Sequence, residues 1–324
     1  MTEAANTDQP VVGIDLGATN MNFAVVDAEG SIIGRAHLKT EAHEGRDRVV
    51  DNLAQGVNDA CADAAISLDD LGAVGIAAAG AMDIPKGVIL VSPNLQWTDV
   101  PLRDIVAEKL GRPIVLNNDV NAAAWGEHKL GVGRGHDDLL GVWVGTGVGG
   151  GLVLHGELHQ GAFFTAGEVG HSVILPDAPP GERTLEDGCG RTGMLRAMRR
   201  RLDLHPESHI AGLPQDQERT LATALIADAY THGDVLVCNV VNRSASLLGV
   251  AIANWVTVLS LDKVVIGGGM TEALGERYLA RIRDGFRENV FPRRCQDCAL
   301  VMTELAMDAA LLGVALLARD AISR

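Results

Sequence analysis

An apolar strand runs directly into a glycine-containing turn in the stretch Val11-Val12-Gly13-Ile14-Asp15-Leu16-Gly17-Ala18-Thr19-Asn20. The arrangement recurs where Leu140-Gly141-Val142-Trp143-Val144 meets the turn Gly145-Thr146-Gly147-Val148-Gly149-Gly150-Gly151. In each place a second strand leaves the turn. Glycine lets the backbone approach an anion closely, with N–H groups directed at phosphate oxygens. The repetition predicts two lobes that hold one polyphosphate between them.

The composition indicates a globular chain of two domains. It has 324 residues and a net charge of −15, from 27 basic and 42 acidic side chains. This acidic balance argues against nucleic acid or an anionic membrane as a partner, because both attract basic surfaces. The N-terminus lacks the charged and apolar parts of a signal peptide, and no uninterrupted apolar run approaches the ~18 residues of a membrane helix. The sequence therefore predicts a cytoplasmic protein.

The cysteines are scattered and odd in number, which fits a reducing cytosol better than a disulfide framework. They are Cys61, Cys189, Cys238, Cys295 and Cys298. The last two have the spacing of a metal or redox pair. No second Cys or His pair accompanies them, however, and a structural zinc needs four ligands. We interpret them as ordinary cysteines.

Hydrophobic periodicity predicts strands that alternate with helices. Besides the strands around the second turn, the expected strands are Val11–Asp15, Asn22–Asp27, Ser31–Leu38, Ala73–Ala78, Pro113–Leu116 and Lys263–Ile266. The expected helices are 45–66, 101–110, a segment after Asn118, Asp187–Leu204, Asp234–Leu259, 273–289 and Asp308–Ala321, with a polar tail at 1–10 and a polar insertion at 205–217. This alternation predicts an α/β fold, duplicated and with a cleft between its halves.

Two common nucleotide motifs are excluded. The spacing Gly145-x-Gly147-x-x-Gly150 matches a dinucleotide fingerprint, but that fingerprint needs a helix after the turn, and the chain continues as the strand Leu152-Val153-Leu154. No G-x-x-x-x-G-K-[ST] motif is present, so the chain is not a P-loop enzyme. A plain hairpin turn needs only one or two glycines, so the five glycines of Gly145–Gly151 favour a phosphate turn.

The segment Asn117-Asn118-Asp119-Val120-Asn121 ends a predicted strand and begins a predicted helix. Asp119 could serve only as a helix cap, a common role for Asp. Phosphoryl transfer to a hydroxyl, however, needs a carboxylate that accepts the proton and polar groups that orient the alcohol. Beside two phosphate turns, Asp119 is therefore the candidate base. Asp15 ends the first strand, where it could hold Mg²⁺ through water or simply form the turn.

Two further motifs are ambiguous taken alone. Glu168 and His171 could both hydrogen-bond a polyol, or they could form half a metal site or include a buried core histidine. Gly267-Gly268-Gly269 could admit a flat base against the backbone. For this glycine run, the simpler interpretation is a strand-to-helix turn.

Together these motifs resemble the ROK family of sugar kinases, which belongs to the superfamily of actin. The resemblance covers the chain from Val11 to about Gly313. It implies a two-lobed actin-like ATPase (ribonuclease H-like) fold with a central cleft and duplicated βββαβα-type domains. The small lobe would be 1–118, with a C-terminal helix at 306–324 packed back on it, and the large lobe would be 119–305.

The resemblance also implies a role for each motif. Asp119 is the implied catalytic base, and the implied sugar-binding residues are Asn94, Asn118, Glu168, His171 and Glu186. ATP is implied to contact Asp15, Gly17, Ala18, Thr19 and Asn20, then Gly145, Thr146, Gly147 and Gly149, and finally Gly268 and Gly269 in the adenosine motif. Ala18 stands where glycine is usual, and Asn20 where many relatives have lysine. Mg²⁺ near Asp15 and N–H dipoles would then stabilise more of the phosphate charge.

The largest departure from the family pattern is the segment Ser172–Glu186. The family carries a C-x-C-G-x-x-G-C run that binds structural zinc together with the preceding histidine, but this segment contains no cysteine. Aligning Thr184-Leu185-Glu186 with the family's Cys-Leu-Glu gives Glu186 the sugar contact. A rival alignment treats Cys189-Gly190-x-x-Gly193 as a zinc remnant and breaks the sugar site. Either alignment leaves fewer than four good ligands, so we expect no structural zinc.

The sequence thus predicts an ATP-dependent hexose kinase that uses Mg²⁺ and phosphorylates glucose at its 6-hydroxyl. The alternatives are a kinase for N-acetylmannosamine, N-acetylglucosamine, fructose, mannose or allose, and a non-catalytic sugar sensor. Polyphosphate is an alternative donor. The family implies a homodimer. Its repressors carry an N-terminal helix-turn-helix, for which a first strand at Val11 leaves no room.

Overall fold

The computed structural model describes residues 8–214 and 218–323. Residues 1–7 of the expected tail and residues 215–217 of the expected insertion lie outside the described residues. The chain forms two compact units. Unit 1 comprises the chain up to Arg134, residues 158–166 and the chain from Leu305 onward. Unit 2 comprises Gly135–Glu157 and Gly167–Glu304.

Unit 1 contains a five-stranded sheet with helices packed on it and a small three-stranded sheet. Its strands are β1 (Val11–Leu16), β2 (Asn20–Val26), β3 (Ile32–Lys39), β4 (Val74–Ala78), β5 (Ala81–Asp83), β6 (Val88–Ser92), β7 (Trp97–Val100) and β8 (Ile114–Asn118). Its helices are α1 (Arg46–Asp63), α2 (Leu102–Leu110), α3 (Asp119–Lys129) and α9 (Ala309–Ile322). The larger sheet has the order β3-β2-β1-β4-β8, in which β1, β2 and β3 are antiparallel and β4 and β8 run parallel to β1.

Unit 2 repeats this topology. Its strands are β9 (Leu139–Val144), β10 (Val148–Leu154), β11 (Glu157–Leu158), β12 (Lys263–Gly267) and β13 (Ala299–Met302). Its helices are α4 (Leu185–Cys189), α5 (Arg191–Arg199), α6 (Glu218–Thr231), α7 (Val235–Leu259) and α8 (Gly269–Asn289). The sheet order β11-β10-β9-β12-β13 again places an antiparallel hairpin beside two parallel strands. The duplicated α/β architecture expected from the sequence is confirmed.

Helix α9 packs on the sheet of unit 1 and on α3. Its backbone comes so close to β1 that a Cβ on Gly13 would lie 2.0 Å from the Leu311 carbonyl oxygen. A Cβ on Gly313 would lie 1.7 Å from the Ala122 carbonyl oxygen of α3. Helix α3 packs on α9, and unit 1 includes the chain up to Arg134. The lobe assignment 1–118 and 119–305 stays a prediction.

Helix α7 is long and apolar enough to cross a membrane by length and composition, and no other helix of the described residues meets that test. Polar residues, among them Asn239, Asn242 and Arg243, interrupt its apolar run. Its buried side chains belong to the core of unit 2, where it packs against α4, α5 and α8. One such helix is weak evidence for a membrane span, since core helices have the same composition.

Two expectations about unit 2 are wrong. The single helix expected over Asp187–Leu204 is divided into α4 and α5 at Gly190, which is extended there with ψ 152°. A Cβ on Gly190 would lie 3.0 Å from the Cα of Gly147, so the break lets the helix pair approach the second glycine turn. The segment 205–214 is not a plain polar insertion, because Ile210 and Leu213 are buried in the core.

Asp234 anchors that segment and caps α7. Its carboxylate accepts hydrogen bonds from the backbone N–H groups of His209 and Val237 and from the Ser208 hydroxyl. Burial alone would raise the pKa of Asp234, but these hydrogen bonds outweigh it and lower the pKa to about 2. Helix α8 also begins earlier than expected and has a non-helical residue, Gly275, with φ 66°.

Candidate active site

The first glycine loop is a tight turn between β1 and β2. The Gly17 N–H donates to the Asn20 carbonyl at 3.1 Å, and the Thr40 hydroxyl donates to the Gly17 carbonyl at 2.7 Å. Ala18 and Thr19 are exposed at the tip. Within the part of the chain that the structure describes, their N–H groups have no acceptor. These two donors are therefore available to an anion.

A lysine stands beside this loop on the neighbouring strand. Lys39 is the partner of Asn20 across the β2–β3 pair, and its Nζ donates to Asn20 Oδ1 at 2.9 Å. A cation is thus present on the strand next to Asn20. Lys39 is absent from the predicted site residues, although the register of a β2–β3 hairpin would have placed it opposite Asn20.

Asp15 is half-buried at the end of β1, opposite Asn22 of β2. Burial raises the pKa of its carboxyl, and a side-chain hydrogen bond with Asn22 lowers it in part. A buried carboxylate is unfavourable without a compensating cation, so this residue suits a bound divalent ion. The described residues contain no group of three acidic, Cys or His side chains that could hold a metal ion. A single half-buried carboxylate such as Asp15 is nevertheless a ligand type that Mg²⁺ accepts, because Mg²⁺ commonly binds one or two carboxylates and keeps several waters.

Asn118 and Asp119 lie at the same edge of the sheet as the first loop. Leu16 and Asn118 flank Ala78 of β4 in register, so β1 and β8 end two strand spacings, about 10 Å, apart. Asn118 is the N-cap of α3, and its Oδ1 accepts from the N–H groups of Val120 and Asn121 at 2.9 and 3.1 Å. This cap fixes where α3 begins and hence the position of the half-buried Asp119 carboxylate.

Asn94 is in unit 1, at the exposed turn between β6 and β7. The turn is closed by the N–H groups of Leu95 and Gln96, which donate to the carbonyls of Ser92 and Pro93. Leu95 within the turn and Trp97, the first residue of β7, are buried. This packing holds Asn94 out toward solvent, where a ligand can reach it.

The second glycine loop joins β9 and β10 in unit 2. The Gly145 N–H donates to the Gly147 carbonyl at 2.9 Å, and the Val148 N–H donates to Glu186 Oε2 at 3.0 Å. A Cβ on Gly147 would lie 2.0 Å from that same oxygen, so only glycine leaves room for the carboxylate. Glu186, predicted to bind sugar, is thus also a structural partner of the second phosphate loop.

An arginine approaches the second loop from the start of α5. The Arg191 guanidinium donates to Thr146 Oγ1 at 2.9 Å and to Thr223 Oγ1 at 3.0 Å. The N–H groups of Arg191 and Thr192 donate to the carbonyls of Gly145 and Thr146. Arg191 is absent from the predicted site residues because the sequence predicts one continuous helix around it. A break expected at Gly190 would have identified it as the first residue of α5.

Glu168 and His171 form the opposite ends of one short turn. Their side chains are 49% and 71% exposed, with Glu168 Oε2 3.8 Å from His171 Nε2. Gly170 between them lies against β10, where a Cβ would be 2.0 Å from the Val148 carbonyl oxygen and 3.5 Å from the Glu186 Cβ. The structure therefore brings Glu168, His171, Glu186 and the second loop together within unit 2.

The third glycine run follows β12, next to the second loop. Gly267 is paired with Trp143, so the strands β9 and β12 end side by side. Gly268 has φ 92°, and a Cβ there would lie 2.6 Å from the Val144 carbonyl oxygen. Gly269 has no atom within 4 Å of its Cβ position. Gly268 therefore makes the strand-to-helix turn, and Gly269 leaves space beside it that a flat base could enter.

The chain is similar to known proteins over nearly its whole length. The model of the ROK family matches residues 11–321. The glucokinase of Halalkalibacterium halodurans is 31% identical over 95% of this chain and 94% of its own length. The ROK glucokinase of Streptomyces griseus, solved with glucose and AMPPNP, has a TM-score of 0.79, with 30% identity over 96% of this chain and 99% of that chain.

A second solved structure, the ROK hexokinase of Thermus thermophilus, has a TM-score of 0.81 with 30% identity over 97% of this chain and 99% of that chain. The expected actin-like ATPase fold with two α/β domains is confirmed by these structures. A xylose repressor of Caldicellulosiruptor bescii is 26% identical, but this chain covers only 79% of its length. Length, fold and sequence lead to the same conclusion: the chain belongs to the ROK family.

Proposed function

We propose that this ROK protein is an ATP-dependent hexose kinase that transfers the γ-phosphate to the 6-hydroxyl of glucose. The observation that carries the proposal is the position of Asp119 at the sheet edge where the first glycine loop begins. Ligands of open α/β sheets bind at the carboxyl ends of the strands. The glucokinase relatives, one of them solved with glucose and an ATP analogue, support the same substrate pair.

Asp119 would be the general base. Its Oδ1 already accepts the Val120 N–H at 3.0 Å, and the Asn118 cap fixes the first turn of α3. A carboxylate held in this way can accept the 6-hydroxyl proton without first losing side-chain freedom. The oxygen then attacks the γ-phosphorus in line with the leaving group. Base catalysis of this kind contributes about 10²–10⁴ in rate.

The two glycine loops and their cations would bind the phosphates. The N–H groups of the first loop tip supply neutral donors, while Lys39 and Arg191 supply positive charge beside Asn20 and Thr146. Donors fixed before the reaction stabilise developing charge without reorganisation. Bound Mg²⁺ would neutralise phosphate charge, held through water by Asp15.

Glu168, His171, Glu186, Asn94 and Asn118 would hold the sugar. Carboxylates, imidazole and amides are the groups that hydrogen-bond hydroxyls, and a sugar requires several of them. Such contacts suit several hexoses, and the choice of glucose rests on the glucokinase relatives. We therefore expect glucose to be used best in a panel with mannose, fructose, allose and the N-acetylated hexosamines. ADP release, measured with ATP and separately with polyphosphate as donor, tests sugar and donor together. No turnover with any sugar would indicate a sugar sensor instead.

Replacing Asp119 by Asn tests the base. The amide keeps the shape of the side chain but cannot accept the proton, so we expect kcat to fall by about 10²–10⁴ while glucose still binds. Asp47→Asn is the matched control, because Asp47 also lies in the first turn of a helix but is 87% exposed. Near-normal turnover of Asp119→Asn would exclude Asp119 as the base.

We also propose, from the family resemblance, that the protein is a cytoplasmic homodimer. Light scattering coupled to size-exclusion chromatography tests the dimer directly. A mass equal to one 34.1 kDa chain would exclude it.

A further inference from the structure

The donor set around the segment Ser172–Glu186 does not fit a structural zinc. The segment itself has no cysteine. The nearest cysteine, Cys189, is fully buried in α4, and its Sγ donates to the Ser244 carbonyl of α7 at 3.3 Å. The Cys189 thiol is therefore buried and hydrogen-bonded within the core of unit 2. Zinc of the structural kind needs four Cys or His ligands, and the described residues provide no group of even three candidate ligands.

The segment is instead closed by its own backbone. The Leu185 N–H donates to the Ser172 carbonyl at 2.9 Å, which joins the two ends. The N–H groups of Ile174 and Leu175 both donate to the Arg183 carbonyl, at 2.9 and 3.0 Å. A β-bridge pairs Val173 with Thr184. These bonds bring together the two ends of the segment, and with them His171, which precedes it, and Glu186, its last residue.

A capping box fixes the end that carries Glu186. The Thr184 hydroxyl accepts the Asp187 N–H, and the Asp187 carboxylate accepts the Thr184 N–H, each at 3.2 Å. Glu186 lies between these two residues in the first turn of α4. Its direction toward the Val148 N–H is thus set by the start of this short helix.

Arg196 of α5 and Arg200, the C-cap residue of that helix, hold the outer part of the segment. Arg196 Nη1 donates to the Gly181 carbonyl at 2.6 Å and lies 3.4 Å from Asp187 Oδ1. Arg200, one helical turn further on the same face, pairs with the Glu182 carboxylate. We call Arg196 and Arg200 the arginine clamp. Arg196 binds the tip of the segment and the capping box at the same time.

We propose that the arginine clamp holds the segment Ser172–Glu186 in the place of a structural zinc, and that it thereby positions His171 and Glu186 for the sugar. The positioning role rests on the proposed kinase function. The independence from zinc does not, because it concerns only how the segment is held.

Metal content and unfolding temperature test the first part without any reference to activity. Metal-ion analysis of the purified chain is expected to find zinc well below one per chain. A zinc chelator should leave the thermal midpoint unchanged, since a structural site would contribute folding free energy. One zinc per chain together with a lower midpoint after chelation would overturn the proposal.

Arg196 variants test the clamp. Arg196→Met removes charged hydrogen bonds, so we expect the KM for sugar to rise about tenfold while the KM for ATP changes little. Arg196→Lys should restore most of the sugar KM, because the single atom Nη1 makes both contacts and an ammonium can replace it. Arg201→Met is the control, since the Arg201 guanidinium, in the turn after α5, donates to the Ala197 carbonyl of α5.

Hydrogen exchange keeps the test independent of the kinase proposal. In Arg196→Met we expect faster exchange of the N–H groups of Ile174, Leu175 and Leu185, with unchanged exchange in the β9–β10 hairpin. Unchanged exchange of the segment would overturn the clamp even if no sugar is phosphorylated. Faster exchange without any sugar turnover would keep the clamp and remove the proposed function.

The pair of Arg200 and Glu182 offers a charge swap. Each reversal alone, Arg200→Glu or Glu182→Arg, should raise the sugar KM by a few fold, which is the range for an exposed ion pair. The double variant should recover much of the loss, because the pair is restored with opposite polarity. A double variant no better than the two single effects combined would exclude Arg200 from the clamp.

Discussion

The partners that hold the first glycine loop are Lys39 and Thr40, 19 and 23 positions after the loop residues that they contact. The partners of the second loop are Glu186 and Arg191, 38 and 45 positions after theirs. The first loop is therefore completed by ordinary hairpin pairing. The second depends on two helices that must first be placed on the sheet. Both loops nevertheless acquire a polar side chain with a cation bonded to it, Asn20 with Lys39 and Thr146 with Arg191.

The comparison shows that an equivalent electrostatic arrangement can be reached by local or by distant contacts. It also shows where the loops differ. Among the hydrogen bonds of the described residues, the first loop makes none to the proposed sugar-binding residues, whereas the second loop shares Glu186 with them. A change in the second loop should therefore affect both substrates, and a change in the first should affect ATP alone.

Alanine substitutions in the two loops should give the largest difference. In Gly147→Ala the new Cβ would lie 2.0 Å from Glu186 Oε2 and displace it, so we expect kcat/KM to fall about 100-fold for both sugar and ATP. In Gly17→Ala the closest atom, the Asn20 carbonyl oxygen, is 2.9 Å away, and we expect at most about a tenfold loss, for ATP only.

Steady-state kinetics with each substrate varied measures this pair. Gly212→Ala is the control, because a Cβ there meets no atom within 4 Å. Equal losses for sugar and ATP in both loop variants would contradict the difference drawn between the loops.

Neutralising the two cations should give an intermediate effect on ATP. Arg191→Met removes hydrogen bonds from a charged group to two threonines, so we expect the KM for ATP to rise about tenfold or more. Lys39 is exposed, so Lys39→Met should raise it only about threefold, and less at high salt.

The control for these cation variants is Lys86→Met, because Lys86 is a 77% exposed lysine paired with Asp83 at a turn. We expect no change in its KM for ATP. An effect of Lys39→Met as large as that of Arg191→Met would mean that both loops bind phosphate equally.

The smallest expected effect is a gain of stability in Asp15→Asn. The pKa of Asp15 is raised by burial, so the folded state binds its proton more tightly than the unfolded state does. The protonated carboxyl group therefore favours folding, fully so below the unfolded pKa of about 3.9, and this contribution is lost as the pH rises through the folded pKa. At neutral pH the amide variant should unfold at a higher temperature, although it would bind Mg²⁺ poorly.

Thermal unfolding at several pH values measures the Asp15 effect. The advantage of the variant should disappear at acid pH, where both side chains are neutral. Asp47→Asn, at an 87% exposed site, is the control. A variant less stable than the parent chain at neutral pH would show that Asp15 is not strained by burial.

Much of the fold follows from patterns in the sequence, but only part of the site does. Periodicity predicts α1 and α7, and glycine spacing predicts both loops, because these signals are local. Lys39 and Arg191 are absent from the prediction because each depends on a contact that the sequence does not display. Lys39 needs the β2–β3 register, and Arg191 needs the break at Gly190.

The prediction of a polar insertion failed at 205–214 for a related reason. Its many polar residues conceal Ile210 and Leu213, which are buried just after the point where the Asp234 carboxylate holds Ser208 and His209. A polar composition predicts exposure only where no distant partner binds the backbone. The same limit applies to Arg196, because its side chain in α5 hydrogen-bonds the carbonyl of Gly181, 15 positions earlier in the chain.

Helix α9 determines when unit 1 can complete its folding during synthesis. Strand β1 leaves the ribosome long before α9, yet its face is covered by that helix, in contacts so close that Gly13 of β1 and Gly75 of β4 have no room for a side chain. While the ribosome is still translating the residues before Ala309, the sheet of unit 1 has an uncovered apolar face. Unit 2 is continuous between Gly167 and Glu304 and needs no such late segment. The unit made first is therefore finished last, and nascent chains stalled before α9 would be the form most in need of a chaperone.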